Sequence, residues 1–420
     1  MTAPAASQLG LEYKPLEQPL LDNPFPFYAR LRREAPVTFA PAFHLWVVSR
    51  YQDVATVLKD SRRFSSRDIL RPPVDLPPDL LELLKDAGYS PEYPLLGDDP
   101  PAHTRIRTLV GKAFSASNMK ALESRIRELA GAYLDTLLRS GSRGDIVAGL
   151  IHPLPMYVIT QMLGIAASDQ EQLKKWCKDE NLFFVPHLPP DERKRSVLGV
   201  AAFRRYLRGL AQERQQNPRA EDLLTGLIQA QLEGERSLSV LELTNLISVL
   251  LFAGHETTTN LMGTALLHLL SHPTAWQELR ANPAAIPNAI EEVLRYDAAV
   301  VGMMRTTTEP VELSGTQVPA GARLLLLFAS ANRDEAVFQE PDRFDIHRTA
   351  TNRHLAFSHG AHYCVGAQLA RLEARVVLEL LLERMPHLRL VPGQPRQYLP
   401  ALLHRGLLQL WVDWSALPAQ

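Results

Sequence analysis

The chain has 420 residues, of which 45 are lysine or arginine, 46 are aspartate or glutamate and two are cysteine. A formal net charge of -1 excludes the broad basic field on which nucleic-acid binding relies. With 46% hydrophobic and 22% charged residues, the composition also excludes disordered, coiled-coil and collagen-like architectures. The chain is long enough to bury a deep core.

Cysteine usage and the N-terminal segment indicate the compartment. Two cysteines exclude a disulfide scaffold and every all-cysteine zinc or iron–sulfur site, and they favour a reducing environment. The first residues lack a basic region followed by an apolar stretch, and no later run approaches the 18 apolar residues of a membrane span. We therefore expect a monomeric cytoplasmic protein without a membrane anchor.

Hydrophobic periodicity predicts a mainly α-helical protein with small β-sheets, an α+β fold class. No repeat or linker divides the chain, so we expect an N-terminal extension over residues 1–22 and one large domain over residues 23–420. Helical spacing covers Met119–Leu138, Leu198–Gln215, Leu238–Leu270, Ala285–Tyr296 and Gly366–Met385. Strand-like runs cover Leu45–Val48, Val311–Ala329 and Leu388–Val412.

Two proline-rich stretches interrupt the helices, at Arg71–Pro101 and Val185–Pro190. Both are long enough to be mobile covers over a site, and both fit equally well as exposed connections.

Cys364 lies just before the helix pattern that begins near Gly366. At a helix N-terminus the backbone N–H groups and the positive dipole end stabilise a thiolate, which is a nucleophile or a metal ligand. A solitary cysteine is more often inert core. Gly360 and Gly366, however, let the backbone approach a flat ligand closely, which a buried structural cysteine does not need.

The order Phe357, Gly360, His362, Cys364 and Gly366 resembles the cysteine loop of the cytochrome P-450 family, the haem-thiolate monooxygenases. The resemblance implies the P-450 fold, with haem b held between the long central helix and the helix after the cysteine. It implies that Cys364 is the axial iron ligand, that His362 faces a haem propionate and that Phe357 packs beside the sulfur. Ser358 departs from the family pattern, which usually has glycine at that position.

The long helix near Val240–Leu270 begins with Ser239-Val-Leu-Glu242, a capping box, and spans about 45 Å at 1.5 Å per residue. Its middle, Ala253-Gly-His-Glu-Thr-Thr-Thr259, has poor helix formers, so we expect local loosening there. The zinc-protease motif H-E-x-x-H requires a second histidine three residues after its glutamate, and Thr259 stands at that position. In the family this segment carries an acid–alcohol pair that relays protons for O–O cleavage, which implies Glu256 as the acid and Thr257 as the alcohol.

Glu292 and Arg295 lie three residues apart on one helix face, a spacing that more commonly makes a surface ion pair. In context they resemble the E-x-x-R element of the family, with Arg343 completing a buried structural triad. Asp297-Ala-Ala follows where the family has a proline.

Burial of a haem requires cations for its two propionates. His103 and Arg107 lie four residues apart on one helix face, and Arg305 follows the Glu292 helix. All three match family positions that contact propionates. We expect Arg105, which is off that face, to point outward.

The resemblance runs from about Asn23 to Val412. It implies an oxidoreductase that inserts one oxygen atom of O2 into a C–H bond of a hydrophobic small molecule, or alternatively epoxidises it. A terpenoid, steroid, fatty acid or polyketide is expected. Candidate pocket residues are Leu70–Leu96, Phe183, Phe184, Leu250, Ala253, Val301–Met303 and Leu402.

The chain leaves no room for a fused reductase, so we expect electrons from a separate ferredoxin and an NAD(P)H-linked ferredoxin reductase. The ferredoxin would dock near Cys364 at Arg105, Lys112, Arg371 and Arg375. Two alternatives stay open: a haem-thiolate peroxygenase or isomerase, and a non-catalytic haem sensor or carrier.

Overall fold

The computed structural model describes residues 7–67, 69, 76–91, 93–185, 188–219, 222–229, 238–349 and 351–415. Within these residues the α-helices are α1 (Gln8–Glu12), α2 (Phe25–Glu34), α3 (Tyr51–Lys59), α4 (Pro78–Asp86), α5 (Ala102–Ala113), α6 (Ala116–Arg139), α7 (Pro153–Met162), α8 (Gln170–Phe183), α9 (Pro190–Gln216), α10 (Leu223–Gln229), α11 (Val240–Ser271), α12 (Pro273–Ala281), α13 (Ile286–Tyr296), α14 (Phe328–Ala331) and α15 (Ala367–Arg384). The strands are β1 (Val37–Ala40), β2 (Leu45–Val48), β3 (Phe64–Ser65), β4 (Arg143–Asp145), β5 (Gly302–Thr307), β6 (Val311–Leu313), β7 (Thr316–Val318), β8 (Arg323–Leu327), β9 (Arg389–Leu390) and β10 (Trp411–Asp413). This content confirms the prediction of a mainly α-helical chain with small sheets.

The described residues form two compact units. Unit 1 comprises those within Met1–Ser65, Met119–Leu154 and Glu256–Gln420, and unit 2 comprises those within Ser66–Asn118 and Pro155–His255. All the strands named above belong to unit 1.

The larger sheet of unit 1 has the strand order β1-β2-β8-β5-β3, in which β2 and β8 are parallel and the other neighbours antiparallel. Val47 pairs with Leu325 in the parallel step. The four residues Leu324–Leu327 are all buried, as expected for a strand covered on both faces. A second sheet has the order β4-β10-β9, and β6 and β7 form a hairpin.

Helices α13 and α15 of unit 1 pack together. α13 carries Glu292 and Arg295, and α15 follows the cysteine loop. α15 buries Leu369, Leu372, Val376 and Leu380 along one stripe, which is the periodicity that predicted it. Each such leucine stabilises the fold by roughly 2 kcal/mol through removal of apolar surface from water.

Unit 2 is built around the packed pair α8 and α9. Leu80 and Leu84 of α4 belong to the same buried cluster as Val197 and Val200 of α9. Part of the stretch Arg71–Pro101, predicted as a cover or an exposed connection, therefore forms a helix, while residues 71–75 and 92 of that stretch lie outside the described residues. α9 also begins eight residues earlier than the periodicity predicted, because Pro190 occupies its first turn.

None of the described helices combines the length and the apolar character needed to cross a bilayer.

Candidate functional site

The cysteine loop of unit 1 is closed by backbone hydrogen bonds. The Cys364 N–H donates to the Phe357 carbonyl at 2.9 Å, and the Ser358 N–H donates to the Leu355 carbonyl at 2.8 Å. The loop ends at Gly366, the residue before α15, and the Cys364 side chain is exposed. The structure thus places an exposed thiol at the N-terminal end of an 18-residue helix, as the sequence predicted.

Two residues of this loop have left-handed backbone. Gly360 has φ +71°, and a Cβ there would lie 2.6 Å from the Leu58 carbonyl oxygen. Ser358 has φ +64°, and its buried Oγ has no hydrogen-bond partner among the described residues. The usual family glycine at position 358 is explained by this conformation, and serine adopts it at a cost of roughly 1–2 kcal/mol.

This geometry predicts opposite effects for two substitutions. Ser358→Gly should stabilise the protein by about 1 kcal/mol, because it relieves the left-handed serine and removes a buried, unsatisfied hydroxyl. Gly360→Ala should destabilise it by more than that, because it adds a clash to the strained backbone. Urea unfolding of the two variants measures both, and destabilisation by Ser358→Gly would contradict the loop geometry.

The Phe357 ring lies under a cation. The Arg371 guanidinium carbon is 4.5 Å from the Phe357 ring centroid, and Arg371 donates two hydrogen bonds to Glu291, at 2.7 and 2.8 Å. Burial alone would raise the pKa of Glu291, but the hydrogen bonds from Arg371 and His354 lower it to about 2. Arg371 is thus ion-paired with the Glu291 carboxylate beside the cysteine loop.

The central helix α11 is a continuous α-helix, so the expected local loosening is not observed. In unit 1, Glu256 and Thr257 keep accessible surface, whereas Thr258 and Thr259 are buried. In unit 2, Ala253 is exposed although it lies at the middle of a largely buried, leucine-rich helix. Ala253, Glu256 and Thr257 of the segment that the sequence singled out therefore keep accessible surface.

The buried charge cluster around Glu292 differs from the expectation in one member. Glu292 and Arg295 are both 0% exposed and form a bidentate pair at 2.7 and 2.8 Å. Arg348, not Arg343, completes the cluster, because its Nε donates to both Glu292 oxygens at 3.1 and 3.2 Å. The Arg343 side chain is 61% exposed and pairs with Glu340 at 3.2 Å, so only its carbonyl accepts from Arg295.

The predicted propionate cations are divided between the units. In unit 1, Arg305 is buried on β5 and donates to the Met304 carbonyl at 2.7 Å, while His362 is half-buried in the cysteine loop. In unit 2, His103 is buried and Arg107 half-buried, one turn apart on α5. Arg105 does not point outward as expected, because it forms an ion pair with Glu242.

The same Glu242 confirms the capping box at the start of α11. Its carboxylate accepts from the Ser239 N–H at 2.8 Å, and its own N–H donates to the Ser239 hydroxyl at 3.2 Å. Burial alone would raise the pKa of the Glu242 carboxyl, but hydrogen bonds from Ser239 and the Arg105 guanidinium lower it.

The predicted pocket residues are also described unit by unit. In unit 2, Phe183 and Leu250 are buried, and Phe183 meets Phe184 edge-on at 5.3 Å between ring centroids. In unit 1, Val301 is buried and its N–H donates to the Leu403 carbonyl at 2.8 Å. Met303 and Leu402 are half-buried, whereas Leu70 lies outside the described residues.

Two buried acids of unit 1 were missed by the sequence analysis. Glu373 is fully buried on α15, and burial raises the pKa of its carboxyl well above the ordinary value. It falls on the stripe of Leu369, Leu372 and Val376, so an acid within an apolar face was the available signal. Asp297 is the second, and its Oδ1 accepts from Arg405 at 3.0 Å.

Asp297 predicts an acid-sensitive contribution to stability. Burial would raise the pKa of Asp297, but Arg405 and a 2.9 Å hydrogen bond with His268 lower it to about 2. A carboxyl with a depressed folded pKa stabilises the protein above its unfolded pKa near 4 and loses that contribution as the pH falls toward 2. Asp297→Asn should therefore cost about 2–3 kcal/mol at pH 7 and flatten the decline of stability below about pH 5.

Urea unfolding at pH 7 and pH 4 measures this contribution. Asp342→Asn is the matched control, since Asp342 is an exposed partner of Arg333 and should change stability by less than about 0.5 kcal/mol. An equal pH dependence in Asp297→Asn and the wild type would contradict the assignment.

Comparison with known proteins decides the family. The Cytochrome P450 family model matches residues 43–396 of this chain. The chain is a cytochrome P450. It is 37% identical over 418 residues to the cytochrome P450 monooxygenase PikC of Streptomyces venezuelae, covering 97% of this chain and 95% of that protein. It is 35% identical over 393 residues to the mycinamicin IV hydroxylase/epoxidase of Micromonospora griseorubida, covering 92% and 94%.

Solved structures agree. The cytochrome P450 CREJ in complex with (4-ethylphenyl) dihydrogen phosphate matches with a TM-score of 0.91 and 33% identity, covering 97% of this chain and 100% of that one. The protein is thus an oxidoreductase of the P450 monooxygenase family and binds haem b. The exposed thiol at the start of α15 and the buried Arg305 fit that group, since P450s hold the haem iron by a cysteine thiolate and the propionates need cations.

Proposed function

We propose that this P450 inserts one oxygen atom of O2 into a C–H bond, or across a double bond, of a large hydrophobic or amphipathic molecule. The observation that carries this proposal is the presence within unit 1 of both the exposed Cys364 thiol and the acid–alcohol pair Glu256–Thr257. A non-catalytic haem sensor or carrier needs the first of these and not the second. When bound, haem supplies the redox chemistry of O2 activation.

The residues proposed to hold the haem are those that the family resemblance implies. Cys364 is the thiolate ligand, and Phe357 packs beside the cysteine loop. Gly360 and Gly366, which have no side chains, let the loop backbone approach the haem closely. Within unit 1, Arg305 and His362 are the proposed propionate partners. Within unit 2, His103 and Arg107 are proposed for the same role. Glu256 would hold a proton at its carboxyl and transfer it to the Thr257 Oγ1 as the Thr257 hydroxyl gives up its own proton, and Glu256 would be reprotonated from solvent.

The proposed relay predicts that Thr257→Ala uncouples the reaction. Without the hydroxyl, O2 consumption should continue while product per O2 falls by about tenfold or more and hydrogen peroxide rises correspondingly. Oxygen uptake, peroxide and product are measured together. Thr259→Val is the matched control, because it removes a buried hydroxyl with no hydrogen-bond partner among the described residues.

Two outcomes would redirect the proposal. A Thr257→Ala protein whose products are all unchanged would favour a carrier or sensor. Peroxide-driven turnover far above ferredoxin-driven turnover in the wild type would favour a peroxygenase.

The proposed substrate class is a terpenoid, steroid, fatty acid or polyketide, of which a polyketide has most support from the relatives. Apolar and aromatic residues dominate the candidate walls, namely Phe183, Phe184, Leu250, Val301 and Met303. Relatives include the mycinamicin IV hydroxylase/epoxidase and the cyclomarin C epoxidase of Salinispora arenicola. Titration of the haem spectrum with macrolides, steroids and fatty acids tests the class, and shifts produced only by small charged metabolites would contradict it.

The proposed electron donor is a separate ferredoxin reduced by an NAD(P)H-linked ferredoxin reductase in the cytoplasm. Arg371 is bonded to Glu291, and Arg375 to Glu123 and Glu379, so those cations are already neutralised within unit 1. Lys112 on α5 is exposed. Lys112→Glu should therefore lower ferredoxin-driven turnover without changing peroxide-driven turnover, and unchanged ferredoxin-driven turnover would contradict Lys112 as part of the docking face.

A further inference from the structure

The segment around His404 in unit 1 packs against the face of α11 that carries Glu256. Gly406 lies so close to Asn260 that a Cβ at position 406 would overlap its amide. Asn260 is one turn beyond Glu256, and residues four apart share a helix face. The segment that contains His404 is therefore fixed alongside the acid of the proposed relay.

Backbone pairing sets the direction of the His404 side chain. Val301 N–H donates to the Leu403 carbonyl, Arg405 N–H donates to the Ala299 carbonyl, and His404 forms an antiparallel bridge with Val300. Neighbouring side chains of an extended segment point to opposite sides.

Arg405 points to Asp297, at 3.0 Å, and to the carbonyls of Leu21 and Asp22. The imidazole of His404 therefore faces away from that cluster.

His404 is surrounded by protein but keeps some accessible surface, as do Glu256 and Thr257. All three side chains are thus only partly buried. Burial lowers the pKa of His404, and the Glu256 carboxylate opposes that shift. Glu256 is the charged group that acts on the imidazole from α11, while Asp297, His268 and Arg405 form the charged cluster on the other side of the extended segment.

We propose that His404 is a positioning residue for Glu256, holding its carboxyl in the orientation that serves Thr257. A neutral imidazole donates one hydrogen bond and accepts one, so it orients a carboxylate without neutralising it. The Asn260 side chain, buried on the same face of α11, fixes the distance at which the His404 segment packs against that helix. This inference rests on the proposed relay and extends it by a residue from the C-terminal part of the chain.

The test compares His404→Leu, His404→Asn and Glu256→Gln in the haem-loaded protein. His404→Leu should lower product per O2 by about tenfold with little change in the substrate KM. His404→Asn keeps a donor and should retain most of the coupling. It should also lack the decline in coupling that we expect of the wild type when acid pH protonates the imidazole.

The double variant separates the two proposals. If His404 acts through Glu256, His404→Leu should have no further effect in the Glu256→Gln background. Normal coupling in Glu256→Gln would overturn the relay itself. Impaired coupling in Glu256→Gln together with normal coupling in His404→Leu would overturn only the role of His404. His387→Asn, at an exposed histidine, is the control.

A second readout does not depend on turnover. Histidine NMR titration of the reduced carbon monoxide complex should show a His404 pKa that falls further in Glu256→Gln, because the carboxylate that raises it is gone. An identical His404 titration in the two proteins would overturn the proposal, even if His404→Leu fails to fold.

Discussion

Cys364→Ser should abolish monooxygenase turnover and reduce the bound haem. The thiolate is proposed as the only protein bond to the iron, so its loss should exceed the roughly 10- to 100-fold effect of removing an outer hydrogen-bond partner of a metal ligand. Product formation, haem content and the spectrum of the reduced carbon monoxide complex are measured on the same preparation.

Cys177→Ser is the matched control. Cys177 is buried on α8 in unit 2, whereas Cys364 is exposed in the loop of unit 1. The control should keep both haem and turnover. Full activity in Cys364→Ser, or equal losses in the two variants, would contradict the assignment of the ligand.

Glu292→Gln should destabilise the protein by about 3–5 kcal/mol, because it leaves two buried guanidinium groups without their carboxylate. This is a large part of the roughly 5–15 kcal/mol by which native domains are stable. Urea unfolding should show the loss, together with reduced haem incorporation.

Two arginine variants decide which side chain completes the cluster. Arg348→Ala removes a side chain that is 11% exposed and bonded to both Glu292 oxygens, so it should cost about 3 kcal/mol. Arg343→Ala removes a side chain in two exposed ion pairs and should cost less than about 1 kcal/mol. The reverse order of stabilities would restore Arg343 to the triad and contradict the structure here.

The contrast between Arg343 and Arg348 shows which member of the Glu292 charge cluster could not be predicted from the sequence. The motif placed an arginine in the right loop, and Glu292 and Arg295 could be assigned because a helix fixes residues three apart on one face. The loop from Glu340 to Arg348 has no such period. Its turns decide which guanidinium enters the protein and which remains in water.

Helices and strands, too, were predicted where the sequence has a regular period and missed where it has none. Periodicity predicted α15 and α11, whose apolar stripes are long. It missed the first two turns of α9, where Pro189 and Pro190 are typical of a loop but also of a helix start. It also missed β5, whose sequence Gly-Met-Met-Arg-Thr-Thr gains its strand conformation by pairing with β8 and β3.

The buried polar residues were the hardest to predict. Asp297 is indistinguishable in sequence from a surface acid, and its partners Arg405 and His268 are distant in the chain. His404 is likewise distant from Glu256 in the chain, and only the fold brings the two side chains into electrostatic interaction. Such contacts depend on tertiary packing, which a local pattern does not encode.

The absorption spectrum of the purified wild-type protein, reduced with dithionite and exposed to carbon monoxide, tests the central claim most directly. We predict a strongly red-shifted Soret band, which requires the Cys364 thiolate as the iron ligand. An unshifted band in a correctly folded, haem-loaded protein would show that the thiol is protonated or displaced, and would contradict the proposed monooxygenase site.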